Sequence, residues 1–147
     1  NFGDDGKALT MSTASMRLME SAVYTEQSSA STKTGAHIAM YDDDITTGYT
    51  FGTSIVSDLW AKWDMGVKKL FKNVYIYVAM TGGGNYIGTL QGSNDDLVWT
   101  DLDTKSVSSA TFSLIASSAR YRYIRMYFTY TSGTGMSCVI YEVKAVE

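Results

Sequence analysis

Proline is missing altogether from these 147 residues, and cysteine and histidine occur once each, as Cys138 and His37. Without proline, no native cis-prolyl bond can slow folding. A lone cysteine excludes an internal disulfide and a cysteine-built metal cluster. It leaves the redox compartment open, since a secreted domain of this size holds together without disulfides where another staple, such as a calcium ion, exists. Charge is sparse: 18% of residues are charged, and the net charge is -3. That balance argues against a nucleic-acid surface, which needs a basic stripe, and against attachment to anionic membranes. No apolar run approaches the length of a membrane span, and no signal peptide is visible. Because the chain starts at Asn1 rather than Met, it is expected to be a processed product or a domain cut from something longer.

What is present is apolar and aromatic. Hydrophobic residues make up 45% and aromatics 13%, with eleven tyrosines. That is a globular composition, long enough for one domain with its own core. Residues 1–33 are rich in Ser, Thr and Ala. Met16, Met19 and Val23 have helix-like spacing, yet a β reading is equally good there. Residues 25–35 are small and polar and are read as a loop.

Beyond that point the period is two. Leu59, Ala61, Trp63 and Met65 share a face. Val74, Ile76 and Val78 face one way, Tyr75 and Tyr77 the other. Ile124, Met126 and Phe128 alternate with Tyr123, Arg125 and Tyr127. Val139, Tyr141 and Val143 alternate with Ile140, Glu142 and Lys144. Gly82-Gly83-Gly84-Asn85 and Ser132-Gly133-Thr134-Gly135 are read as turns between strands. Many short strands separated by Gly, Ser, Asn and Asp predict an all-β, antiparallel sandwich filling residues 1–147 as a single domain.

Asp42-Asp43-Asp44-Ile45-Thr46-Thr47-Gly48-Tyr49 packs oxygen ligands into one turn. Calcium takes six to eight oxygens from carboxylates, hydroxyls and carbonyls, and Asp42, Asp44 and Thr47 have that chemistry. The alternative is an ordinary solvated acidic turn. Catalysis is not expected. Spacing alone leaves a His37–Cys138 pair open, yet Cys138 opens a buried-looking strand where a free cysteine is a small hydrophobe, and Gly82-Gly83-Gly84 lacks the Lys/Ser sequel of a phosphate loop. The Asp4-Asp5 and Asp95-Asp96 pairs sit in turns without a cleft partner.

With the acidic turn, Trp60, Asp64-Met65-Gly66, Ser93-Asn94-Asp95-Asp96-Leu97-Val98-Trp99, Arg122-Tyr123-Ile124-Arg125 and Val139-Ile140-Tyr141-Glu142-Val143 follow in a fixed order. That order resembles the F5/8 type C (discoidin-like, galactose-binding-like) superfamily, which includes family 32 carbohydrate-binding modules. The resemblance implies a jelly-roll β-sandwich with a structural calcium ion held by Asp42, Asp44, Thr47 and, from the last strand, Glu142. It implies that Trp60, Trp63 and Trp99 are core, and that Arg122 and Arg125 pack along the sandwich. Two aspartates, Asp43 and Asp96, replace family glycines at positions expected to have positive φ. Tyr49 replaces a family tryptophan.

Binding residues concentrate on loops held by a rigid frame. Residues 24–33, 49–58 and 130–136 are read as loops at one end, with the 82–86 turn beside them or opposite. Tyr24, Gln27, Phe51, Asn85, Tyr86 and Tyr130 combine flat apolar faces with amide groups and are the candidate sugar-binding residues. The rim of the core is the alternative for each tyrosine. His37 is expected near the calcium end.

The function these features imply is a non-catalytic, lectin-like module for a cell-surface glycan or glycoconjugate, acting in adhesion or surface attachment, outside the cell or on a particle. The second reading is a self-associating structural domain of a virion or extracellular filament. A third, lipid binding through Phe51 and Ile55 as apolar spikes, conflicts with the net charge.

Overall fold

The computed structural model describes residues 18–27, 33, 35–108 and 110–146. Five strands are present: β1 (Val23–Gln27), β2 (Tyr49–Ile55), β3 (Leu59–Ser93), β4 (Thr100–Val107) and β5 (Ala110–Val146), with a 3-10 turn at His37–Met40 between β1 and β2. All pairings are antiparallel.

The lengths of β3 and β5 explain the architecture. At 35 and 37 residues they are too long to lie in one layer. Residues 59–64 of β3 pair with 123–128 of β5, whose other side pairs with 88–93 of β3. With β1 on one edge and β4 on the other, this makes one layer. Residues 69–80 pair with 110–121 on one side and with 138–146 on the other, and β2 completes the second layer. The chain therefore forms a jelly-roll β-sandwich in which the same two strands pass from one layer to the other.

The crossings fall where backbone can bend or approach closely. At Gly66 φ is 79°, and Asp64 Oδ1 accepts the Gly66 amide at 2.8 Å. At the second crossing, Gly82 and Gly84 lie against Met136 and Gly133. A Cβ on Gly84 would stand 2.5 Å from the Thr134 carbonyl oxygen, and one on Gly133 would stand 2.3 Å from that of Gly83. The two glycine runs expected to be hairpin turns are thus not turns. They are side-by-side crossings, where glycine permits two backbones to touch.

Other expectations change for the same reason. The segments 24–27, 49–55 and 130–136, read as loops, are strand, because alternation continues through them. Residues 18–20 are helical, followed directly by β1; the 14–17 part of the candidate helix lies outside the described residues.

The core lies between the layers. Ala61, Trp63, Tyr86, Leu90, Ile124, Met126 and Phe128 come from one side. Phe51, Ile55, Phe71, Val74, Ile76, Val78, Met80, Met136, Cys138, Ile140 and Val143 come from the other. Trp63 donates its indole N–H to Tyr41 Oη at 2.8 Å, so its burial leaves no orphan donor. Trp60 and Trp99, also expected in the core, are only half-buried on the outside of the first layer. Lys62 Nζ lies 5.3 Å from the Trp60 ring centroid, and the Arg125 guanidinium sits 3.9 Å over Trp99. Trp63 shares its face with Leu59 and Ala61, which points inward; Trp60 has the opposite parity.

Candidate carbohydrate-binding end and acidic turn

Antiparallel register brings several segments to one end of the sandwich. Gln27 pairs with Trp60, Ile55 with Met136, and Asn85 with Ser132. Asp58 ties this end together: its carboxylate accepts the Tyr130 amide at 2.8 Å and the Tyr127 hydroxyl at 3.2 Å. Asn85 Nδ2 donates to Ser132 Oγ at 3.1 Å, and Thr131 Oγ1 donates to the Asn85 carbonyl at 2.9 Å. Beside them lies an open groove of about 340 Å3, lined by Asn85, Tyr86, Ile87, Ser106, Val107, Ser108 and Thr131. Its lining carries amide and hydroxyl groups, an apolar strip from Ile87, and no charge.

The six candidate sugar contacts separate in the structure. Asn85 is exposed and borders the groove, and Tyr130 is half-exposed beside it, with its hydroxyl bonded to the Gly133 carbonyl. Phe51 and Tyr86 are corrected. Phe51 is fully buried, and the Tyr86 ring is 1% exposed. The Tyr86 hydroxyl donates to the Ile55 carbonyl at 2.8 Å, and burial pushes its pKa up to about 12. Neither ring has a face to offer a sugar, because both alternate inward on strands. Phe51 and Ile55 are equally unavailable as lipid spikes.

Tyr24 lies away from the groove. Its half-buried ring packs against His37, Tyr49 and Trp63, with centroids 4.7, 6.4 and 5.3 Å away. Burial and the neighbouring Glu26 carboxylate push its phenol pKa up. Gln27 closes β1 opposite Trp60. His37 is exposed, edge-on to Tyr49 at 4.6 Å and 3.8 Å from Glu26 Oε1. Sequence reasoning missed Ser106, Ser108 and Thr131. The small polar run after β4 was the available signal.

The acidic turn is built from its own side chains. Asp42 Oδ1 accepts the Asp44 amide at 3.1 Å, and Asp44 Oδ1 accepts the Thr46 amide at 2.8 Å and its hydroxyl at 2.6 Å. These bonds hold the Asp44 carboxyl below its ordinary pKa. Thr47 donates its hydroxyl to Asp42. Asp43 sits at φ 59°, and Asp96, in the other aspartate-for-glycine turn, at φ 62°. Both left-handed positions were legible from the sequence. Each aspartate also pairs with a strand lysine: Asp43 with Lys144 at 2.9 Å and Asp96 with Lys62 at 2.6 Å.

Glu142 faces this turn and is 1% exposed, and neither carboxylate oxygen has a hydrogen-bond partner. Lys144 Nζ, 3.5 Å from Oε2, is an ion-pair neighbour too distant for a strong hydrogen bond. Burial pushes the Glu142 pKa up; Lys144 opposes the shift, and the charges of Asp43 and Asp42 add to it. Among the described residues, no three His, Cys, Asp or Glu side chains form a metal-holding group.

The two arginines of β5 pack along the first layer. Arg122 forms a forked pair with Asp64, at 2.8 and 3.0 Å. Arg125 lies against Trp99 and Tyr127 and donates to Gln91 Oε1 at 2.7 Å.

No family profile and no curated protein sequence matches the chain. Solved structures do match its fold. Chitosan-binding module 2 from a chitosanase/glucanase of Paenibacillus sp. IK-5, solved with chitotriose, aligns at a TM-score of 0.62 and 17% identity, over 88% of this chain and 99% of that one. CpGH89CBM32-6 of Clostridium perfringens aligns at 0.56 and 18%, over 88% and 98%. A Ruminococcus gnavus GH29 fucosidase, solved with fucose, aligns at 0.63 and 18%; the chain spans 90% of its own length but only 26% of that enzyme. The fold is that of carbohydrate-binding modules, in agreement with the discoidin-like, family 32 resemblance.

Proposed function

We propose that this chain is a non-catalytic carbohydrate-binding module that attaches a larger protein or particle to a glycan-bearing surface. The observation that carries this reading is the conjunction of that fold with an uncharged, hydroxyl- and amide-lined groove at the end bordered by Asn85 and Tyr130. Sugars are held by directed hydrogen bonds and by apolar contact with ring faces, and an uncharged lining suits a neutral glycan. The shallow groove implies weak single-site affinity, strengthened by repetition in a larger assembly.

A structural calcium ion is part of the proposal. Its support is Glu142: a buried carboxylate with no hydrogen-bond donor, facing Asp42 and Asp43 and with Lys144 Nζ only 3.5 Å away on one side, offers oxygens that a hard cation takes. Asp42, Asp44, Thr47 and Glu142 would hold the ion, with backbone carbonyls completing an oxygen shell. Bound there, calcium would supply positive charge tying the last strand to the turn before β2.

A broad glycan array, probed with the wild type and an Asn85→Ala/Tyr130→Ala variant in calcium and in chelator, tests the module reading. A coherent set of bound glycans, lost in the variant, is expected. Silence from a folded sample would overturn it and favour the self-assembling structural role.

A further inference from the structure

The outer face of the second layer carries a strip of side chains that neither the core nor the groove uses. Lys68, Leu70 and Lys72 share one face of β3 by alternation. Between Phe71 and Val74, where the strand gains a second partner at Val146, the burial pattern shifts by one although the register with residues 110–121 is unbroken. Phe71 and Val74 are consequently both buried, Lys72 and Asn73 both exposed, and the outer row continues through Tyr75 and Tyr77.

Arg120, exposed, stands directly across from Leu70, which is 41% exposed. The Tyr75 and Tyr77 rings stack with centroids 6.2 Å apart and planes 10° apart, and Tyr141 lies 5.9 Å from Tyr77. Ile115 sits opposite Tyr75 and is 51% exposed.

Charge sets this strip apart. Lys33, Lys62, Arg122 and Lys144 each have a carboxylate partner. Among the described residues, Lys68, Lys72 and Arg120 have none; Lys105 on β4 also has none, and Arg125 pairs with Gln91 rather than a carboxylate, but these two stand apart from one another. Three cations without a carboxylate partner among the described residues therefore gather on one strand pair of a chain whose net charge is -3. Asp43 and Glu142 pair with Lys144, and Asp103 accepts the Ile115 amide at 2.9 Å.

We propose that this strip binds an acidic polysaccharide, with Tyr75 and Tyr77 against sugar rings and Lys68, Lys72 and Arg120 paired with uronate carboxylates or sulfates. From Lys68 to Tyr77 the strand runs about 30 Å, room for several sugar units of an extended polymer. Charge complementarity and aromatic faces in one row favour a polymer of alternating ring faces and anionic groups. An anionic bilayer would need a cluster of apolar side chains projecting beyond the basic ones, and here Val67, Leu70 and Ile115 are spaced along the strip between charges and tyrosines. A nucleic acid would meet a chain that is acidic overall. The site is separate from the groove and does not depend on it.

Native gel electrophoresis of the intact chain through gels containing polygalacturonate, dextran sulfate or neutral dextran tests the proposal. The wild type should be retarded by at least one anionic polymer and not by dextran. Lys68→Glu/Lys72→Glu alters exposed side chains only and should weaken the retardation about tenfold or more, as the loss of two charge-assisted contacts requires. Tyr77→Ala should weaken it as well, with an unchanged melting profile certifying its fold, and Asn85→Ala should not. No retardation, or equal retardation of the charge-reversed variant, would overturn the proposal. Equally tight binding of single-stranded DNA or of phosphatidylserine vesicles would also overturn it, assigning the strip to a nucleic acid or a membrane instead.

Discussion

Replacing Glu142 with Gln should stabilise the calcium-free protein, an unusual sign for a substitution at a buried polar site. Glu142 is 1% exposed, and its oxygens have no hydrogen-bond donor. Burial raises its pKa above the ordinary 4.5, with Asp43 and Asp42 adding to the shift and Lys144 opposing it. A carboxyl whose folded pKa lies above its unfolded one binds its proton more tightly in the native state. Calcium-free stability therefore falls as pH rises through that interval, and the penalty is complete above the folded pKa. Glutamine carries no charge and escapes it.

Glutamine leaves an amide in the same unpartnered place and gives up the Lys144 neighbour, so only the charge-burial part of the penalty is relieved, and Glu142→Gln should gain about 1 kcal/mol in chelator at pH 7. For a domain of this size that is a rise of about 3 °C in Tm. Calcium should reverse the order. At one hundred times its Kd, the ion stabilises the wild type by about 2.7 kcal/mol, and the variant, lacking a ligand, should gain much less. Scanning calorimetry between pH 4 and 8, in calcium and in chelator, reads all four states. A wild-type Tm identical in both would refute the calcium site. A variant less stable than the wild type in chelator would refute the claim that the Lys144 neighbour leaves the burial of the Glu142 charge only partly offset.

Three further outcomes follow from the packing. Gly84→Ala should destabilise by about 2 kcal/mol or more, measured by urea unfolding, since its Cβ would meet the Thr134 carbonyl at 2.5 Å; a neutral result would contradict the close crossing. Asp96→Gly relieves φ 62° but loses the Lys62 pair, effects of about 0.5–1 kcal/mol each way, so its unfolding midpoint should hardly move. Cys138 is fully buried, and burial pushes its thiol pKa up, so a thiol reagent at pH 8 should label it only as fast as the chain unfolds.

Strand existence and most of the facing were legible because period two is a local property; the last strand departs from it, since the register changes beside Tyr141 and Val143 turns inward while Val139 and Tyr141 do not. Ile76, Val78, Ile124 and Met126 point inward as their alternation demands. The left-handed aspartates were legible too, since Asp43 and Asp96 stand where the resembled family has glycine. The glycine runs misled because glycine serves a turn and a close strand crossing equally well, and only the partner strand, some fifty residues away, decides between them. Phe51 and Tyr86 misled because an aromatic residue beside a polar segment reads the same whether its strand has ended or continues. The groove's Ser106, Ser108 and Thr131 meet only through the pairing of β3 with β4 and β5. The basic–tyrosine strip was hidden by the shift in burial after Phe71, which breaks the alternation that would have put Lys68 and Tyr75 on opposite faces.

Binding of a neutral glycan at the groove end is tested most directly by an amide 1H–15N titration of the labelled chain with pools of neutral oligosaccharides, in calcium. Shifts concentrated at residues 85–87, 106–108 and 130–132 are predicted. An absence of shifts from a well-folded spectrum, or shifts confined to other surfaces, would contradict it.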